Sequence, residues 1–156
     1  MRLDYHHVYA ADPARVVALL HTRGFIEDVA RHAGALEHSA SIEGNQTRLT
    51  MVLPVPSHLT KFVGSSLRLE QVFTFGDPGP DGVVHGTVTG DVQAMPVDID
   101  AVGVLTPVGE TTQASYTGEL RVRIPLVGKK VEAQVEPYIR DAFDGLERRA
   151  ADWLAL

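Results

Sequence analysis

Residues 112–155 read TQASYTGELRVRIPLVGKKVEAQVEPYIRDAFDGLERRAADWLA, and inside this stretch the hydrophobic period changes from two to about 3.6. Over 112–124, Tyr116, Gly118, Leu120, Val122 and Ile124 alternate with Thr117, Glu119, Arg121 and Arg123. That is a strand with one face turned to a core. Over 128–155, Val131, Val135, Tyr138, Ile139, Ala142, Leu146, Ala150 and Trp153 gather on one side at about 100° per residue, the mark of an amphipathic helix. Lys129, Glu136, Arg140, Glu147 and Arg148 are assigned to its other sides. Pro137 removes a backbone donor and crowds the preceding turn, so a kink or break is expected near Glu136.

Working outward, alternation predicts strands at 36–43, 47–54, 67–76, 83–94 and 97–107. Gly44-Asn45 and Gly109-Glu110 fit tight hairpins, and Pro78-Gly79-Pro80-Asp81-Gly82 fits a longer turn. Ser57 is placed as the cap of one or two helical turns over 57–63. At the front, residues 2–10 read as a strand. Asp12-Pro13 opens a helix that Gly24 would stop, and a second short helix runs from Ile26 to His32 before Gly34. The class is α+β: a curved antiparallel sheet of about seven strands around a long C-terminal helix, with two short helices after the first strand. No repeat or linker divides residues 1–156, so one domain is expected.

The inner faces follow from the alternation. They are Leu36, His38, Ala40 and Ile42; then Leu49, Met51 and Leu53; then Leu67, Leu69, Gln71, Phe73 and Phe75; and Val97, Ile99, Ala101, Gly103 and Leu105. The 83–94 strand presents Val84, Gly86, Val88, Gly90, Val92 and Ala94. Glycines there either let the sheet curl and approach its neighbours or leave room for a ligand under the helix. His38, Gln71, Tyr116, Tyr5 and His7 are the polar-tipped inner residues, each either satisfied internally or lining a pocket.

The chain has 156 residues, no cysteine and a net charge of −6. Disulfides, thiolate chemistry and zinc ribbons are excluded. The paired cations Lys129-Lys130 and Arg148-Arg149 are too sparse to track a nucleic-acid backbone. With no apolar leader and no run long enough to span a bilayer, a cytoplasmic location is expected.

The element order is similar to the START-like superfamily, the helix-grip fold of pollen-allergen homologues, lipid-transfer domains and polyketide cyclases. Two passages carry the resemblance. Tyr9-Ala10-Ala11-Asp12-Pro13-Ala14-Arg15-Val16 resembles the lead-in to the first helix. Gly118 to Glu132 resembles the last strand and helix start of an uncharacterised bacterial branch, catalogued as a domain of unknown function. The resemblance implies a hydrophobic cavity between sheet and C-terminal helix.

No catalytic pattern accompanies it. The serines lack a G-x-S-x-G elbow, the histidines are scattered, and no glycine-rich phosphate loop joins a strand to a helix. Asp98 and Asp100 share a face, but the outer one. The leading expectation is therefore a non-catalytic carrier of a small hydrophobic ligand, without metal or cofactor. The cavity would be lined by Tyr5, His38, Leu49, Met51, Leu69, Gln71, Phe73, Gly86, Val88, Gly90, Ile99, Ala101, Tyr116, Val135, Ile139 and Ala142. One alternative is a cyclase or dehydratase with His38 as base and Tyr116 or Tyr5 as donor. Another is an interaction module whose core fills itself, as Phe73, Phe75, Met51, Leu53 and Trp153 would allow. Oligomeric state is left open.

Overall fold

The computed structural model describes all 156 residues. Its strands are β1 (Arg2–Tyr9), β2 (Glu37–Glu43), β3 (Gln46–Pro54), β4 (Ser66–Phe75), β5 (Val84–Val92), β6 (Val97–Val108) and β7 (Thr111–Val122). The helices are α1 (Pro13–Leu20), α2 (Arg23–His32), α3 (Thr60–Val63, after a 3-10 turn at Ser57–Leu59) and α4 (Gly128–Leu154). All seven strands form one antiparallel sheet in the order β1-β7-β6-β5-β4-β3-β2. Only the first strand is out of sequence, inserted beside the last. The expected architecture is present.

Local chemistry explains the boundaries. Asp12 caps α1 by accepting from the Arg15 N–H at 2.8 Å, with Pro13 at the first helical position where its missing N–H is harmless. Gly44 and Gly109 take positive φ (58° and 59°) and close two-residue hairpins, since Glu43 pairs with Gln46 and Val108 with Thr111.

Four local expectations are corrected. Gly24 does not stop the first helix; α1 ends at Leu20, and Gly24 is a helical residue of α2. Ser57 makes no cap hydrogen bond. Ala94 lies in the β5–β6 turn and not on the inner face of a strand. Pro137 does not break α4, which runs 27 residues through it. Pro137 and Ala133, the residue whose carbonyl loses its partner, are both exposed, so that carbonyl faces solvent.

The register divides the sheet into two ends. The upper end carries the hairpins at 44–45, 76–83 and 109–110 and the lead-in to α1. The lower end carries α3, the turn at 93–96 and the loop at 123–127 that enters α4. From there α4 climbs across β1 and β7 until its last turns meet α2. There the buried Asp28 carboxylate accepts from Arg149 Nε at 2.8 Å and Trp153 Nε1 at 2.9 Å. Burial alone would raise the Asp28 pKa, but these donors outweigh it and hold the group below its ordinary value.

Candidate functional site

Cross-strand pairing sorts the inner face into rows. Phe75, Gly86, Gly103, Tyr116 and Tyr5 form one row, and Phe73, Val88, Ala101 and Gly118 the next. Below them lie Leu49, Gln71, Gly90, Ile99 and Leu120, and below those His38, Met51 and Leu69. Every strand residue predicted for the cavity therefore falls within four adjacent rows of one face. Val135 and Ile139 of α4 pack against the same core. Ala142 does not, because it lies on the exposed flank, and Tyr138, also placed inward, is 46% exposed.

The upper rows are sealed. Phe143, a residue the helical pattern had not singled out, reaches down between Tyr5, Tyr116 and His7, with ring centroids 4.9, 5.4 and 6.2 Å away. The remaining void, bounded by Leu20, Phe73, Phe75, Val88, Tyr116, Phe143 and Leu146, measures about 20 Å³. That is room for one water at most. Gly86 supplies close approach and not space: a Cβ there would run into the Phe75 ring and lie 2.6 Å from the Thr74 carbonyl oxygen.

The tyrosine hydroxyls buried in this half form two groups. His7 Nδ1 meets the Tyr9 hydroxyl at 2.9 Å, and Tyr9 meets the Tyr116 hydroxyl at 2.8 Å, while His7 Nε2 has no partner. Burial pushes Tyr116 up to about 12 and keeps the His7 imidazole below its usual value. Separately, the Tyr5 hydroxyl donates to Glu136 at 3.0 Å, and Arg140 grips the same carboxylate with two contacts of 2.8 Å. Glu136, expected on the polar side of the helix, is 9% exposed. The Glu-to-Arg spacing of four was its sequence signal.

The lower rows are not sealed. Leu53, Leu67, Leu69, Gln71, Val92, Val97 and Ile99 face inward yet remain half-buried, as do Val135 and Ile139 above them and Phe62 of the α3 segment beside them. The rim is firm: Met51, Leu59, Val122 and Val131 are buried around this window. Gly90 lies in its floor, where an added Cβ would make only ordinary contacts, at 3.8 Å from Ile99 Cβ and Leu69 Cδ1.

His38 is half-buried near the free edge of the sheet, its Nδ1 unpartnered, beside a polar surface groove of about 210 Å³ that also touches Glu37, Ser39, Thr50 and Arg68. The structure shows no hydrogen bond or ring contact between His38 and Tyr116 or Tyr5. Five strand spacings, roughly 24 Å along the curved sheet, separate β2 from β7, and Tyr5 is one strand farther. Asp98 and Asp100 are held on the outer face by Arg121 (3.2 and 2.6 Å) and, for Asp98, by Arg123. They form a cross-strand ion-pair cluster.

A sheet gripping a long helix, with apolar side chains left open between them, is the arrangement on which comparison with known proteins can bear. The model of a family described as "Protein of unknown function (DUF2505)" matches residues 4–154. The chain belongs to that family. No curated protein matches the sequence. Solved structures with the same fold include a STAR-related lipid transfer protein from Xanthomonas axonopodis (12% identity, TM-score 0.67, covering 99% of this chain and 86% of that one). Another is a protein from Thermus thermophilus, TTHA0849 (17%, TM-score 0.64, 96% and 97%). A third is the Zhui aromatase/cyclase of Streptomyces (14%, TM-score 0.53, 96% and 93%). A START superfamily protein from Mycobacterium smegmatis also matches, at 14% identity and a TM-score of 0.58. The fold of this DUF2505 member is START-like, and no helix is long and apolar enough to cross a membrane.

Proposed function

We infer that the chain binds a small apolar molecule, lipid-like or aromatic, in the lower window between the sheet and the first half of α4. One observation carries this reading: a contiguous set of inward-facing Leu, Ile and Val side chains is left only partly buried. Covering them would gain about 25 cal/mol for every Å² removed from water, and the chain does not use that gain for itself. Of the residues expected to line a cavity, Leu49, Met51, Leu69, Gly90, Ile99, Val135 and Ile139 would supply the apolar contact. Gln71 would supply a polar group able to orient a ligand. Similarity to a lipid transfer protein and an aromatase/cyclase supports an apolar or aromatic ligand class.

Native mass spectrometry of freshly purified protein, followed by solvent extraction, tests this. The expected result is a discrete added mass that organic solvent releases and that is lost from Leu69→Trp, where an indole fills the window. A fatty-acid or aromatic library should raise the melting temperature by roughly 5–10 °C at saturating ligand. A bare mass with no thermal response from any library member would overturn the reading. It would leave a self-filled interaction module, which the 20 Å³ upper void already resembles.

A further inference from the structure

The loop that joins β7 to α4 breaks three local rules at one place. Leu126 has a φ of +69°, in the left-handed region that leucine disfavours, and holds its apolar side chain fully exposed. The helix that follows starts without a side-chain cap at Val127 and without an acidic residue in its first turn. Lys129 and Lys130 occupy that turn instead, where the helix dipole opposes positive charge. None of these choices helps the chain fold. Local rules broken together mark places shaped by something other than stability.

The neighbouring connections repeat the pattern. Ala94, the only other non-glycine with positive φ (61°), lies in the β5–β6 turn, which touches the Leu126 loop through the Arg123 N–H to Pro96 carbonyl bond at 2.8 Å. Lys61 lies in α3, next to the half-buried Phe62 and Val63. All three lysines of the chain are thus at the lower end of the sheet. No carboxylate lies within ion-pair distance of them, although Glu132 feels the charge of Lys129. The carboxylates nearby are mostly taken: Glu37 by Arg68, Asp98 by Arg121 and Arg123, and Glu119 and Glu132 by the Met1 amino group, leaving Asp91 free on the outer face. The upper turns carry Glu43, Asp77, Asp81 and Glu110. Strands of 9–12 residues hold the two ends roughly 30–40 Å apart, several times the Debye length of about 8 Å. A net charge of −6 therefore does not prevent the lower end from meeting an anionic surface.

We propose that the lower end docks on the surface of an anionic phospholipid bilayer, with Leu126 entering the acyl boundary and Lys61, Lys129 and Lys130 lying at the phosphates. A fully exposed apolar side chain, with Lys129 and Lys130 three and four positions on and Lys61 at the same end of the sheet, matches the layered chemistry of an interface: apolar below, anionic above. A soluble acidic partner would match the lysines but would give no role to a fully exposed leucine. The ligand window opens at this same end, so docking would bring its mouth against lipid. Docking itself needs no bound ligand, so its failure would leave the ligand reading intact.

Flotation of the full chain with vesicles tests the proposal. Phosphatidylcholine vesicles containing about one-third phosphatidylglycerol should carry the protein at low salt, and pure phosphatidylcholine should not. Added salt should release it. Lys129→Gln with Lys130→Gln should weaken binding about thirtyfold, at about fivefold per cation. Leu126→Asp should abolish binding. Leu126→Gly, which relieves the backbone, should melt no lower than the parent yet bind less well, and this separates docking from folding. Absence of flotation on anionic vesicles at low salt would overturn the proposal. So would binding that depends on the lysines but is indifferent to Leu126→Asp, which would point to a soluble acidic partner.

Discussion

Tyr116 and Leu69 both point to the inner face of one sheet, yet Tyr116 is 2% exposed and Leu69 is only partly buried. Alternation within each strand is equally clean, so the strands do not explain the difference. The cover does. Above Tyr116 lie α1 and the second half of α4, drawn down by Phe143 and clamped to α2 through Asp28, Arg149 and Trp153. Above Leu69 lie only the first half of α4 and the short α3 segment. Inward orientation belongs to a strand; burial depends on what is laid across it.

The largest expected contrast is between truncations at those two rows. Tyr116→Ala should cost about 3–5 kcal/mol in urea unfolding, because it empties a closed site and leaves the Tyr9 hydroxyl with only one of its two partners, His7. Leu69→Ala should cost about 1–2 kcal/mol, because its side chain is already partly hydrated. Equal losses would abolish the distinction between the halves. Next in size is Gly86→Ala, where a methyl collides with Phe75 and the β4 backbone; a loss of about 1–3 kcal/mol is expected from the denaturation midpoint.

Acid should weaken the upper half first. Burial lowers the His7 pKa, so the unfolded chain takes up that proton before the native one does. Glu147 and Asp144 pull the other way without overcoming burial. The stability linked to neutral His7 is complete above about pH 6.5 and is lost as pH falls below that toward the lowered native value. His21, lowered by burial too, adds a slope of the same sign. Urea midpoints measured between neutral and mildly acidic pH should fall in the parent and fall less steeply in His7→Phe. The smallest effect belongs to Gly90→Ala. Its new methyl makes ordinary contacts in the window floor, and the strand loses less backbone entropy on folding, so a gain of up to about 1 kcal/mol is expected.

Element order, hairpin turns and inward faces were readable because each rests on a local period or a turn signal. Gly44 and Gly109 closed their hairpins where the dipeptides predicted. What depended on two elements meeting was not readable. Phe143 sits off the tidy helical stripe and is buried because the sheet curves toward it. Glu136 sits on the polar side by spacing and is buried because Tyr5 and Arg140 meet it there. Ala142 and Tyr138 fail in the opposite sense, since a 27-residue helix crossing a narrow sheet cannot keep its whole stripe covered. Pro137 misled because its effect depends on whether the orphaned carbonyl can reach solvent. The half-open window followed from no residue pattern, since it depends on what lies across the lower rows.

The insertion of β1 beside β7 has a consequence in time. β2 to β7 can assemble by successive hairpins as the chain lengthens, whereas β1 waits for a partner far along the chain; Tyr9 and Tyr116, whose hydroxyls meet, are 107 positions apart. Loop closure on that scale slows folding, so the aromatic half is the last to form and, once formed, the hardest to open. Until then β1 is an unpaired strand open to any passing edge, and on a ribosome that interval lasts until residue 122 has emerged.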